Sequence, residues 1–158
     1  SRLGFLLIRL SAGFIPETMP VKHLAVEPVA APPDTTVPQL AGILDEEGVG
    51  SVVIEEDGEP VGMVTDRDVA VAVANHDDLS ALHARDIMAE DPTTIHGDAE
   101  AVELPKRMAE ARVRRLPVVD DDGSLTGVAT LDDVVATTGE ELEDVATVIE
   151  AQSPDYSP

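Results

Sequence analysis

The sequence predicts an α+β fold in which two β-α-β-β-α repeats pack sheet to sheet about a pseudo-two-fold axis. Three observations support this. A seven-residue signature occurs twice, as Gly62-Met63-Val64-Thr65-Asp66-Arg67-Asp68 and as Gly127-Val128-Ala129-Thr130-Leu131-Asp132-Asp133, with glycine first, threonine fourth and aspartate last. The copies lie 65 residues apart, and at that spacing Asp57-Gly58 matches Asp122-Gly123, Val53 matches Val118 and Val69 matches Val134. A duplicated unit of this length is too long for a solenoid and points to two small subdomains. Each is too small to cover both faces of its own sheet, so burial of the second face needs the other copy.

Residues 1–18 differ in character from the rest of the chain. Arg2 and Arg9 stand against only Glu17, and Leu3, Phe5, Leu6, Leu7, Ile8 and Leu10 form an apolar stretch interrupted by Arg9. That stretch is too short to span a membrane, and no clear small-x-small cleavage site precedes Met19. Met19 reads as a natural start, so 1–18 is expected to be an extension that need not be native. The alternative is a segment that buries its apolar side against a second copy.

The first repeat, 19–78, opens with Val29-Ala30-Ala31-Pro32-Pro33, which the prolines hold extended. Asp34 and Thr35 are expected to cap a helix through Glu47, with Val37, Leu40, Ile43 and Leu44 on one face. Gly48 and Gly50 stop it. Strands are expected at 52–54 and 61–64, then a helix over 66–75 and a polar joint at His76-Asp77-Asp78. The second repeat, 79–152, begins with a linking helix over 81–88 and an extended lead-in at Pro92-Thr93-Thr94-Ile95. A helix over 100–111 follows, with Pro105 near its first turn. Strands at 117–119 and 125–129 and a helix over 131–137 complete the copy. Gly139 precedes an amphipathic helix over 140–151, with Leu142, Val145, Ala146 and Ile149 on one stripe, and 153–158 is a flexible tail.

The signature has a physical reading. Asp-Gly is a tight-turn signal, because glycine accepts the positive φ such turns require. The apolar run after it is a short strand, and Thr65 and Thr130 then fit the N-cap of a helix with Asp68 and Asp133 at the third helical position. Strand, threonine, helix points backbone N–H groups beyond the strand end, which suits an anion, and an aspartate there can hold ribose hydroxyls. Local capping alone accounts for one copy; a glycine kept in the strand of both copies signals close approach of a ligand or of another backbone.

These residues, together with Arg114-Arg115-Leu116-Pro117-Val118-Val119-Asp120, resemble a cystathionine-β-synthase (CBS) domain, and two in tandem resemble the Bateman module. The resemblance covers about 19–150. The second repeat is the cleaner match: Ser51-Val52-Val53-Ile54-Glu55-Glu56 stands in the first where the second has the Arg-Leu-Pro-Val-Val-Asp stretch. The first is also one residue shorter before its Asp-Gly turn, so the two sites need not bind alike. The resemblance implies two clefts between the repeats. Asp68 and Asp133 would hold ribose hydroxyls, Thr65 and Thr130 would contact ribose or the α-phosphate, and backbone near Val53 and Val118 would meet the adenine edge. Val29 and Thr94, in the two lead-ins, are candidate lining residues.

Composition narrows the alternatives. The chain has 158 residues, no cysteine and 2% aromatic residues, so disulfides, thiolate metal sites and base-stacking platforms are excluded or unexpected. Its formal net charge is −22, from 32 acidic against 10 basic residues, a field that repels phosphate backbones. With 43% hydrophobic content the chain is expected to fold, and an acidic surface adapted to concentrated salt, as in halophiles, accounts for the charge.

Five of the ten basic residues, Lys106, Arg107, Arg112, Arg114 and Arg115, fall within 106–115. Arginine's planar fork suits phosphate oxygens, while pairing with Glu103, Glu110 or Asp120–Asp122 is the bland alternative. By the resemblance Arg114 or Arg115 reaches the cleft, Lys106 and Arg107 lie on a helix surface, and Arg67 is a second phosphate candidate. His23, His76, His83 and His96 share no face, and no nucleophile elbow or P-loop is present, so an enzyme is not expected. Adjacent acids such as Asp132-Asp133 and Asp77-Asp78 read as a solvated face, so no metal site is expected; any magnesium would arrive with a nucleotide rather than be held by the protein alone.

The reading is a regulatory module binding AMP, ADP, ATP or a related adenosyl ligand, cytoplasmic and homodimeric, that modulates an unidentified protein and touches neither membrane nor nucleic acid directly. The rivals are a structural dimerisation module with empty clefts and the ligand-sensing part of a DNA-linked regulator.

Overall fold

The computed structural model describes residues 19–137. In chain order the elements are β1 (Ala30–Ala31), α1 (Val37–Glu47), β2 (Ser51–Glu56), β3 (Glu59–Thr65), α2 (Asp66–Asn75), α3 (Ala84–Ile87), β4 (Ala89–Glu90), β5 (Ile95–His96), α4 (Glu103–Ala111), β6 (Arg115–Val119), β7 (Leu125–Thr130) and α5 (131–137), with 3₁₀ turns at Val21–His23 and Leu79–Ala81. The β-α-β-β-α order occurs twice, as predicted. The predicted helix over 140–151, the tail and residues 1–18 lie outside the described residues.

Local chemistry sets the boundaries. Helix α1 is capped by Thr36, one residue beyond the expected Asp34 and Thr35; the Thr36 hydroxyl accepts the Gln39 N–H and the Gln39 side chain accepts the Thr36 N–H. Thr35 is otherwise engaged, its carbonyl accepting the Ala84 N–H at 2.7 Å. Helix α4 begins at Glu103, not 100, with Pro105 in its first turn as expected; Ala101 before it is held by the Met19 carbonyl at 2.8 Å. The expected linking helix over 81–88 is instead a 3₁₀ turn, the short α3 and strand β4. It is pinned to the first repeat where Val37 N–H meets the Leu82 carbonyl at 2.9 Å.

The first sheet has the order β1-β2-β3-β4 and the second β5-β6-β7; β1 and β5 run parallel to β2 and β6, and the remaining pairs are antiparallel. The second sheet gains a fourth member from the start of the described chain. Val26 and Val128 exchange both backbone hydrogen bonds at 3.0 Å, the same place in β7 that β4 takes in β3, where Met63 faces Ala89. Each repeat therefore lends its lead segment to the other. Val21 is buried in the core of Ile95, Leu104, Leu116 and Val118, and Ala84 in the core of Leu40, Leu44, Val52 and Ile54.

The two signature glycines serve this exchange. A Cβ on Gly62 would collide with the Met88 sulfur, and one on Gly127 would fall 3.0 Å from the Ala25 Cβ and 3.1 Å from the Val26 carbonyl oxygen. Of the two approaches that a strand glycine signals, the structure places a neighbouring chain segment at both.

Strand register corrects one equivalence. Val53 faces Met63 and Pro117 faces Val128, so the counterpart of Val53 is Pro117, while Val118 answers to Ile54. The first hairpin closes on Asp57-Gly58, both at positive φ. The second uses the longer loop 120–124, where the Asp120 carboxylate accepts the Asp122 and Ser124 N–H groups at 2.9 and 3.0 Å. The extra residue shifts the preceding strand by one. Side chains alternate across a strand, so Val52, Ile54 and Val64 enter the helix-side core while Val53 and Met63 take the opposite face; Leu116 and Val118 leave Pro117 and Val128 to the same role. Val53 and Pro117 are fully buried on those second faces. The repeats are also tied at their hairpins, where the Leu125 N–H reaches the Gly58 carbonyl at 2.8 Å.

Candidate functional site

Thr65 and Thr130 end β3 and β7 on the second faces of their sheets, two residues beyond Met63 and Val128. Each is half-buried and opens a helix. In the first repeat Thr65 and Asp68 form a reciprocal capping box: the Asp68 carboxylate accepts the Thr65 N–H at 2.8 Å and the Thr65 hydroxyl accepts the Asp68 N–H at 3.2 Å. In the second, the Thr130 hydroxyl accepts the Asp133 N–H at 3.2 Å and donates to the Asp133 carboxylate at 2.7 Å. In both, one carboxylate oxygen is engaged, and the other makes no hydrogen bond or ion pair among the described residues. A carboxylate fixed on one side and open on the other can accept a hydroxyl from a sugar.

The first N–H groups of α2 are not open, against expectation. At the start of α2, Asp66 N–H donates to the Gly50 carbonyl (3.1 Å), Arg67 N–H to the Asp66 carboxylate (2.8 Å) and Asp68 N–H to Thr65. At α5, Leu131 N–H is taken by the Arg114 carbonyl at 2.7 Å. The first turns also carry Asp66 and Asp68, and Asp132 and Asp133. Anion binding at the start of α2 therefore falls to side-chain cations.

The candidate cations separate into three groups. Lys106 and Arg107 lie along α4, 3.9 Å from Glu110 and 3.5 Å from Glu103, the helix surface that was expected. Arg114, 73% exposed, reaches Asp132 at 3.6 Å, beside the second motif. Arg115, half-buried at the start of β6 opposite Thr130, extends its guanidinium across to the first repeat. One terminal nitrogen lies 3.3 Å and the other 3.8 Å from where a Gly50 Cβ would stand, and an Asp66 carboxylate oxygen lies 3.8 Å from that same point. The Arg115 guanidinium makes no hydrogen bond or ion pair with a described residue. Arg67 is exposed in the first turn of α2.

Among the remaining candidates, Val53 and Val118 are buried central-strand residues. The carbonyl of half-buried Val29 accepts the Val53 N–H at 2.9 Å, and that of Thr94 accepts from Arg107 at 3.3 Å. Gly50, Ser51 and Asp66 join the site without having been singled out. Their signal is the strand register, which makes Ser51, facing Thr65, the counterpart of Arg115, facing Thr130. Two surface hollows, about 600 and 820 Å³, run along α4 and α1 and are not lined by either threonine–aspartate pair. Among the described residues no group of three or more His, Cys, Asp or Glu is placed to hold a metal ion, and no helix is long and apolar enough to cross a membrane.

The fold agrees with that of known proteins. Residues 21–75 and 84–138 each match the CBS domain. An uncharacterised protein of Methanopyrus kandleri is 37% identical over 124 residues, covering 73% of this chain and 63% of that protein. Inosine-5'-monophosphate dehydrogenase of Korarchaeum cryptofilum is 31% identical over 67% of this chain and 21% of its own length. The chain thus spans less than two thirds of the length of these relatives. Among solved structures, the CBS domain pair of protein MJ0100 in complex with 5'-methylthioadenosine and S-adenosyl-L-methionine is similar with a TM-score of 0.71, 25% identity and coverage of 78% of this chain and 98% of that one. The CBS domain protein PAE2072 of Pyrobaculum aerophilum, complexed with AMP, has a TM-score of 0.67 and 28% identity over 73% of this chain and 89% of its own. With its two exchanged β-α-β-β-α repeats, the chain belongs to the CBS domain family as a tandem pair.

Proposed function

We propose that the chain binds an adenosine nucleotide or a related adenosyl ligand between its repeats and uses the bound state to regulate a protein partner. The observation that carries this is the pair of half-buried aspartates, Asp68 and Asp133, each anchored through one oxygen and open at the other. Both stand where a strand of the inter-repeat face becomes a helix. They would accept ribose hydroxyls, with Thr65 and Thr130 beside them and strand backbone near Val53 and its register counterpart Pro117 meeting the base. Two similar structures were solved with adenosyl compounds, AMP in one and 5'-methylthioadenosine with S-adenosyl-L-methionine in the other. The stretch of inosine-5'-monophosphate dehydrogenase that resembles this chain is a minor part of that enzyme, as suits a regulatory attachment. A cytoplasmic homodimer is the setting we propose, isologous pairing being the commonest symmetry.

A second reading, a structural module with empty clefts, draws on the same residues, since both threonine–aspartate pairs already work as helix caps. A melting experiment at high salt with ATP, AMP, NAD and S-adenosylmethionine separates the two. A ligand that binds only the folded state raises the midpoint, by about 2.7 kcal/mol of added stability at a hundred times its dissociation constant. No shift with any of the four would leave the structural reading standing.

A further inference from the structure

We infer that Met88 is a modification site: oxidation of its thioether by a peroxide loosens the hold of β4 on β3, and with it a link between the two repeats. None of the residues proposed to meet an adenosyl ligand takes part.

The chain has no cysteine, so its sulfur chemistry rests on Met19, Met63, Met88 and Met108. Met108 is 3% exposed in the core of the second repeat, while the other three are half-buried and within reach of solvent. Met88 is the one that covers a signature glycine: its Cβ, Cγ and sulfur crowd the space in which a Gly62 side chain would begin. Little else holds β4, which has two residues and pairs with β3 at Gly62 and Met63. Met88 joins it to α3, donating its N–H to the Ala84 carbonyl at 2.8 Å, and Ala84 is fully buried in the core of the first repeat. The Met88 side chain therefore rivets the lead segment across β3. On Gly127 the counterpart is Ala25, which carries no sulfur, so the two exchanged segments differ in this chemistry.

In the reaction the sulfur lone pair attacks one oxygen of hydrogen peroxide. An S–O bond forms as the O–O bond breaks, and the proton of the transferred hydroxyl leaves with the departing hydroxide as water. Sulfur loses two electrons and the peroxide gains them. A soft, flexible apolar group becomes a polar one with a strong hydrogen-bond acceptor. Met88 packs against the core of Leu40, Leu44, Val52, Ile54 and Val64, and Gly62 beneath it is itself buried. A sulfoxide oxygen held there would be withdrawn from water at a cost, so the side chain turns outward to solvate it. Turning outward empties the space over Gly62 and leaves β4 with its short backbone pairing alone.

Hydrogen peroxide treatment of the full chain tests this, with each methionine read by peptide mass spectrometry and β4 by hydrogen exchange. Oxidation at Met88 is expected to speed exchange in the peptide that carries β4 about tenfold or more, and to lower the melting midpoint by about 3 °C or more. Met88→Leu, which fills similar space without a sulfur to oxidise, should hold both values through the same exposure while the other exposed methionines still react. Met63→Leu should respond to peroxide as the parent does. A parent chain with Met88 fully oxidised and β4 exchange unchanged would overturn the proposal. So would a Met88 that stays reduced while Met108 reacts, or a Met88→Leu chain that loosens as much as the parent.

Discussion

Arg112 ends α4 in the left-handed region at φ 57, the conformation that Gly48 adopts at φ 62 at the end of α1. Both residues close a helix through N–H bonds to the preceding turn, but only glycine does so without steric strain at Cβ. Replacing Arg112 by glycine should therefore raise stability by about 0.5–1 kcal/mol, the strain relieved exceeding the added freedom of the unfolded chain. Gly48→Ala should lower it by a similar amount. Urea unfolding followed by circular dichroism reads both, and an Arg112→Gly midpoint at or below that of the parent would refute the strain argument. At this scale much was legible. The threonine–aspartate caps, the positive-φ turn at Asp57-Gly58 and the helix-surface place of Lys106 and Arg107 all follow from short-range chemistry that the sequence displays. Arg115 over Gly50 was legible only in part. The residue could be picked out as a stray cation, but its contact crosses from one repeat to the other and depends on a register shift made by the loop 120–124.

The lead segments are the elements that sequence reading placed least well. An apolar pattern over 81–88 suggests one helix, yet tertiary bonds from Val37 and Thr35 split it into a turn, a short helix and a strand. Likewise 19–26 reads as a start to the first repeat, while its Val21 side chain lies in the core of the second. Periodicity reports which face is buried and says nothing of which sheet buries it. The N-terminal segment is fastened by the Val26–Val128 backbone bonds, by the Met19 carbonyl accepting the Ala101 N–H at 2.8 Å, by Val21 and Lys22 N–H groups donating to the Ala99 and Gly97 carbonyls at 2.8 and 2.9 Å, and by Lys22 to Asp98 at 2.8 Å. The hydrogen bond from Lys22 and its charge hold the Asp98 carboxyl below its ordinary pKa. A lowered carboxyl pKa adds stability above the unfolded-state value and loses it as the pH falls through the folded one, so this last tie weakens only in acid. The decisive contact is apolar. Gly127→Ala should push the strand segment away from β7, because its neighbours are a fixed Cβ and a backbone oxygen, at a cost of about 1–3 kcal/mol. Gly62→Ala should cost less, since the flexible Met88 side chain can move aside. Hydrogen exchange should show the Val26 amide losing protection in the Gly127 variant, and unchanged protection there would show that the glycine is not kept for this approach.

Exchange of lead segments makes the two repeats one folding unit. Neither sheet has its fourth member without the other repeat's lead segment, so separation would strip Val21 and Ala84 from their cores and open the Leu125–Gly58 tie as well. The ligand proposed to bind between the repeats would therefore act on a framework whose parts cannot rotate freely. Its signal is better carried by small changes in the bound surface, or by stiffening, than by a wide hinge. Against this cohesion works the charge. With ten cations against thirty-two acids, repulsion between like charges opposes the compact state, most strongly at low ionic strength. The screening length shrinks from about 10 Å at 0.1 M salt to about 3 Å at 1 M, shorter than most distances across a surface of this size. Unfolding should therefore remain a single cooperative transition at every salt concentration while its midpoint climbs as KCl rises toward molar levels. Calorimetric and van't Hoff enthalpies measured across that series should agree. A midpoint indifferent to salt would show that the acids are already balanced in the folded chain. Two resolved transitions would show that the repeats stand alone despite sharing their strands.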